Sequence, residues 1–176
     1  MVVWPGGYDG RSESTNWDFN GGIEIVKSNG VEMQNNVVAG SERAGYRLYN
    51  RPCPVTPSAP SADPWFGNVA HSTLSGVVIF GAEATSGTCM FITGFSIYKS
   101  ADYGMYLQST PSIRIRSVAM ADNTVGIFPF VIGPSAVDHV REDKFVKIEN
   151  SLFIGRSTDY DCNDKIDTEA KTYKYR

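Results

Sequence analysis

The sequence has no basic cluster. Its 16 lysines and arginines are scattered among 19 acidic residues, for a net charge of −3. With no positive footprint to neutralise phosphates, nucleic acid is excluded as an expected partner. No apolar run approaches the roughly 18 residues that a membrane-spanning helix needs, so this segment is expected to make no membrane contact. Met1-Val2-Val3-Trp4-Pro5 lacks the charged start and apolar core of a signal peptide. Any segment that secretes or anchors a parent protein is therefore expected outside this chain. Histidine is scarce, with only His71 and His139, and no Gly-x-Ser-x-Gly elbow is present to build a hydrolase triad on. His71 is expected at a corner of the fold, bonded to a neighbouring backbone group. No Asn-x-Ser/Thr sequon occurs either, which excludes an ordinary N-glycan.

Cysteine is equally sparse. Cys53, Cys89 and Cys162 stand far apart, without the ligand pairs two to four residues apart that zinc requires. One disulfide with a leftover thiol and three buried free thiols both fit the count, so the compartment stays open at this level. Asp159-Tyr160-Asp161 with Asn163-Asp164 is acidic but lacks the glycine and closing glutamate of a calcium loop. It reads as a solvated tail. No metal, cofactor or catalytic residue is assigned.

Glycine, by contrast, is plentiful, with 17 residues punctuating short apolar runs. Four segments share one plan, a small or polar node followed by a short strand, a polar turn, a glycine and a second strand. Node and glycine are Asn36 and Gly45, Gly67 and Gly76, Gly94 and Gly104, and Ser117 and Gly126, which lie 9, 9, 10 and 9 residues apart. Gly22 and the node Ser151 extend the plan at both ends. Successive glycines, from Gly22 through Gly45, Gly76 and Gly104 to Gly126, are 23, 31, 28 and 22 residues apart. A period in the low twenties with two insertions suits one coil of a parallel β-helix. The five glycines are read as structural turn residues, at positive φ or in close backbone contact.

The expected fold is therefore all-β: a right-handed, single-stranded parallel β-helix of the pectin-lyase-like kind, with an incomplete set of coils. Residues 1–155 form the coils, with 51–64 as a proline-rich corner loop, and 156–176 form a polar tail or a connection to a following domain. Five prolines in the fourteen residues 51–64 cannot supply central strands, because proline donates no ladder hydrogen bond. Ile113-Arg114-Ile115-Arg116 and Val146-Lys147-Ile148-Glu149 alternate as half-buried strands do. The competing reading is an antiparallel meander, for which Ile23–Val26 and Val31–Gln34 offer a hairpin. A meander does not require a fixed offset recurring down the chain.

Counting back from each glycine puts Arg43 and Asp102 at one register position and His71 and Lys99 at another. In stacked coils about 4.8 Å apart these form two columns on one corner, a stripe suited to an acidic sugar or to solvent. Glu42, Asp102 and Asp122 lie near the same corner, but nothing in the sequence marks a buried pair for glycoside cleavage. Phe91, Phe95, Tyr103, Phe128, Phe130 and Phe153 are expected to fill the core, with an exposed platform at Trp65-Phe66 as the alternative use of aromatics.

Several of these segments together resemble one family. Trp4-Pro5-Gly6, Asn35 through Arg47, Pro52-Cys53-Pro54, Trp65 through His71, Lys99 through Gly104 and Ser151 through Gly155 resemble fibrocystin and fibrocystin-L, in order over about residues 1–165. That resemblance implies the parallel β-helix region of a very large receptor-like protein, held at the cell surface by one transmembrane helix and associated with primary cilia. Less closely, Asn35-Asn36, Gly40-Ser41-Glu42, Ala70-His71-Ser72 and Asn150 through Phe153 resemble hyaluronan-degrading proteins with the same β-helix. It carries no catalytic residue onto this chain. The expectation is a non-catalytic extracellular module whose partners are the rest of its parent and a glycan or protein ligand. The alternative is a β-helix that degrades or binds hyaluronan-like glycans.

Overall fold

The structure is a computed structural model, described here over residues 21–25, 30–49, 51–54, 59–82, 89–109, 111–131, 144–157, 166–167 and 172–173. His139, Cys162, the Trp4 segment and the acidic run from Asp159 lie outside the described residues. The chain is all-β. No helix among the described residues is long and apolar enough to cross a membrane.

Among the described residues thirteen strands fall into three parallel sheets, two of five strands and one of three. The first sheet holds β1 (Gly21–Glu24), β3 (Ala44–Arg47), β5 (Ser75–Ala82), β8 (Tyr103–Ser109) and β11 (Val125–Val131), in that order. The second holds β2 (Val37–Ala39), β4 (Asn68–His71), β7 (Phe95–Tyr98), β10 (Ala119–Ala121) and β13 (Leu152–Ile154). The third holds β6 (Cys89–Thr93), β9 (Ser112–Arg116) and β12 (Val146–Glu149). A separate antiparallel pair, β14 (Ile166–Asp167) and β15 (Thr172–Tyr173), follows. Each strand pairs with the strand one coil later, the pattern of a parallel β-helix or solenoid.

The register follows the side chains. Ile23 pairs with Tyr46, Tyr46 with Val77, Val77 with Met105 and Met105 with Ile127. Gly22, Gly45, Gly76, Gly104 and Gly126, each one residue earlier, therefore share a single column. They sit second in their strands rather than in turns, and Gly45, Gly76 and Gly104 are absent from the positive-φ positions. Their constraint is close approach. A Cβ on Gly45 would lie 2.7 Å from the Gly76 carbonyl oxygen, and one on Gly76 would lie 2.6 Å from that of Gly104.

Apolar residues of all three sheets point inward to one core. Tyr46, Val77, Met90, Ile92, Ile97, Met105, Leu107, Ile113 and Ile115 are fully or almost fully buried there. Ile113 and Ile115 face in while Arg114 and Arg116 face out, and β12 lies in register beside them. Against the competing meander reading, β1 pairs in parallel with β3.

The proline-rich segment leaves the column after β3 and returns at β4. Pro60–Ala62 makes one 3-10 turn, and Pro52 forms an antiparallel bridge to Met90. Cys53 is disulfide-bonded to Cys89. Arg51 donates two hydrogen bonds to the Asp63 carboxylate, 2.6 and 2.5 Å, and its guanidinium lies 4.9 Å from the Trp65 ring and 5.1 Å from that of Phe91. Trp65 is thus buried, its indole N–H donating to the Val31 carbonyl, which removes it from the alternative of an exposed platform.

Candidate functional site

The second sheet is entered and left through residues in left-handed conformation. Asn35, Gly67, Gly94, Ser117 and Asn150, with φ from 48 to 81°, precede its five strands. Gly40, Ser72, Lys99 and Asp122, with φ from 53 to 69°, follow four of them. A left-handed residue with a Cβ costs about 1–2 kcal/mol, least for asparagine and aspartate, whose side chains bond locally. The nodes expected at Asn36 and Ser151 are therefore each one residue late. At Gly67 a Cβ would also meet the Asn35 side-chain oxygen, which would have to shift. Beside it, buried Asn68 donates to the Met33 and Trp65 carbonyls, both at 2.6 Å, and accepts from the Asn36 backbone N–H.

The stripe residues lie on the corner that joins the second sheet to the first. His71 ends β4 facing outward, and its imidazole stacks on Tyr98 of the next coil, 4.8 Å between centroids with planes 4° apart. Nδ1 is 3.2 Å from Ser72 Oγ. Partial burial, and then the positive charge of Lys99, push the His71 pKa down, which favours the neutral ring near pH 7. His71 and Lys99 do not share a column. His71 pairs with Tyr98, and Lys99 occupies the left-handed position of Ser72. The reason is a corner of four residues from Ser72 to Gly76 but five from Lys99 to Gly104, so counting back from glycine slips by one.

Arg43 and Asp102 do share a column, with Leu74 of the intervening coil between them. The Arg43 carbonyl accepts from the Ser75 N–H, the Asp102 N–H donates to the Leu74 carbonyl, and the Asp102 carbonyl accepts from the Val125 N–H. Two coil steps separate them by about 10 Å. Burial raises the Asp102 pKa. Asp122, a buried carboxylate at this corner, accepts from Ser157 N–H at 2.6 Å and Ser157 Oγ at 2.8 Å, which ties one coil to the next. What this corner presents outward is an aromatic stack, His71 on Tyr98, flanked by a lysine.

The outward aromatics of the first sheet were misjudged from sequence. Phe128 and Phe130 are exposed on the first sheet, where Phe128 stacks on Tyr106 at 5.5 Å and 9° and also meets Tyr103. Of the six aromatics expected inside, Phe91 and Phe95 are buried. On the third sheet the Glu149 carboxylate takes Arg114 Nε at 2.7 Å and Lys147 Nζ at 2.9 Å. Tyr98 has a legible signal in retrospect, as the outward residue one coil after His71.

The chain is 38% identical to human fibrocystin-L over 164 residues, 93% of the chain, and 38% identical to the mouse protein over 170 residues, 97% of the chain. It is 34% identical to dog fibrocystin over 141 residues, 80% of the chain. It spans only about 4% of the length of the fibrocystin-L proteins and 3% of the dog fibrocystin. No protein-family model and no solved structure matches the chain.

Proposed function

We propose that this chain is a stretch of right-handed, pectin-lyase-like parallel β-helix from a fibrocystin-type protein, a non-catalytic module on the extracellular side of a single-pass, cilium-associated cell-surface receptor. The observation that carries this reading is the in-register stacking of the coils, in a chain whose matched relatives are fibrocystins. The Cys53–Cys89 disulfide supports an oxidising compartment, since such bonds persist outside the cytosol. The mechanism is passive. A stiff column holds its corners at fixed spacing and presents them to ligands and to the rest of the parent protein.

Non-catalytic use is supported by two of the corner and sheet carboxylates, although Asp102, its pKa raised by burial, is the group an enzyme would use. Asp122 is engaged with Ser157, and Glu149 with two cations. A second reading, contact with an acidic glycan such as hyaluronan, is favoured by one feature: the His71–Tyr98 stack beside Lys99, with Arg43 and Asp102 on the same corner. Sugars pack on aromatic faces, and a nearby cation suits a carboxylate group.

Incubation with size-defined hyaluronan, followed by gel sizing and co-sedimentation, tests both readings. The module reading expects intact polymer. Fragmentation that vanishes in Asp102→Asn would contradict it. Co-sedimentation lost in Tyr98→Ala or Lys99→Ala would assign glycan contact to the corner.

A further inference from the structure

The outer face of the second sheet differs from that of the third. Side chains alternate along its strands, so register partners form outward columns that run from Val37 to Leu152 and from Ala39 to Ile154. Neither column holds an aspartate, glutamate, lysine or arginine. On the third sheet Arg114, Lys147 and Glu149 meet on the outside instead.

β10 dents this uncharged face. Its outward residues are Ala119 and Ala121, while β7 presents Ser96 and Tyr98 on one side and β13 presents Leu152 and Ile154 on the other. The result is a trough along β10, floored by two methyl groups. Its walls stand two coil steps apart, about 10 Å between backbones, which leaves the thickness of one ring between side chains. Tyr98, Leu152 and Ile154 are 37, 58 and 42% exposed. One face of the Tyr98 ring is stacked on His71. The opposite face looks over Ala121, whose methyl group is too small to cover it.

The lining selects the occupant. Apart from the hydroxyls of Ser96 and Tyr98, the trough offers methyl groups, branched aliphatics and a ring face. Sugar hydroxyls held there would lose water without gaining partners, whereas an aromatic ring gains a stacked face and apolar contact. Lys99 follows Tyr98 at one end. Asp122, which follows Ala121 at that end, is buried and turned to Ser157, so the charge presented is positive. Five strands wide and three residues long, the whole face covers on the order of 250 Å², well below the roughly 800 Å² per partner of a stable dimer. That area suits an anchoring segment better than a second copy.

We propose that the β10 trough is a docking site for a protein partner, which inserts one aromatic side chain between Tyr98 and Ile154 and sets a neighbouring carboxylate against Lys99. Aromatic anchors seated in small apolar pockets dominate many protein contacts. The site goes beyond the module reading, which names no partner chemistry, and it competes with the glycan reading at Tyr98.

The test titrates the 176-residue protein, isotope-labelled in its alanine and isoleucine methyl groups, with the blocked tetrapeptide Gly-Trp-Asp-Gly. Ring-current shifts of the Ala121 and Ile154 methyl signals are expected. Gly-Trp-Lys-Gly and Gly-Leu-Asp-Gly are each expected to bind about tenfold more weakly. Ala121→Leu fills the trough from outside the core and is expected to lose the Ile154 shift, while Ala39→Leu, at the far end of the same column, is expected to keep it. Absence of the shifts, equal affinity for the three peptides, or an unchanged Ile154 shift in Ala121→Leu would overturn the proposal. Shifts from a hyaluronan hexasaccharide where the peptide gives none would overturn it in favour of a glycan. Self-association of the protein that Ala121→Leu abolishes would overturn it in favour of a second copy.

Discussion

At Gly76 a single added methyl group meets the next coil's backbone. Its Cβ would lie 2.6 Å from the Gly104 carbonyl oxygen and collide with the Ile97 side chain. Backbone cannot retreat without opening the ladder on both sides, so Gly76→Ala is expected to destabilise the protein by about 3 kcal/mol. At Gly126, in the same column, a Cβ would meet the Phe153 ring at 3.5 Å, so Gly126→Ala is expected to change stability by no more than about 0.5 kcal/mol. Urea denaturation of the two variants reads the difference. Glu149 supplies a pH dependence of known sign. The hydrogen bonds from Arg114 and then Lys147 hold its carboxyl down at about 2, against an ordinary value of 4.5. The folded pKa is depressed, so the stabilisation is present above about pH 4.5 and is lost as the pH falls toward 2. Thermal melts across that window are expected to show the loss, and Glu149→Gln is expected to remove this part of it.

Among the elements, the proline-rich segment is fastened by contacts that its composition does not announce. Arg51 sits between Trp65 and Phe91 and is paired with Asp63, which is itself buried. Removing the cation alone leaves a buried carboxylate unpaired, so Arg51→Met is expected to cost about 3–5 kcal/mol, and Arg51→Met with Asp63→Asn is expected to recover part of it. Denaturation of both variants measures this directly. The disulfide closes a separation of 36 residues, and replacing Cys53 and Cys89 by serine is expected to cost about 4 kcal/mol through chain entropy.

These contacts also mark where sequence reasoning reaches and where it stops. The glycine column was legible because it answers one steric demand, repeated at each coil. The Ile-Arg-Ile-Arg strand was legible because alternation follows the pleat. The left-handed positions at Asn35 and Asn150 were displaced by one residue, since Asn-Asn and Asn-Ser each offer two side chains suited to a corner. The pairing of His71 with Tyr98 was hidden by a corner that gains a residue between coils. Phe128 and Phe130 give no local sign of facing outward, because β11 is apolar on both faces. Burial of Trp65 depends on an arginine 14 positions away in sequence, brought in by the loop's own path.

At the scale of the molecule, three parallel sheets share one core. That stacking sets which side chains stand together on each face. The most direct test is cross-linking across coils. Val69 on β4 and Ser96 on β7 are register partners that face outward, and a parallel pair places their Cα atoms about 5 Å apart, within disulfide reach. Ala119 on β10 faces the same way one coil further on, about 10 Å from Val69. In a Cys162→Ser background, Val69→Cys with Ser96→Cys is expected to form a disulfide on mild oxidation, detected by mass spectrometry of the digested protein. Val69→Cys with Ala119→Cys is expected to stay reduced. A bond in the second pair, or none in the first, would contradict the stacked column.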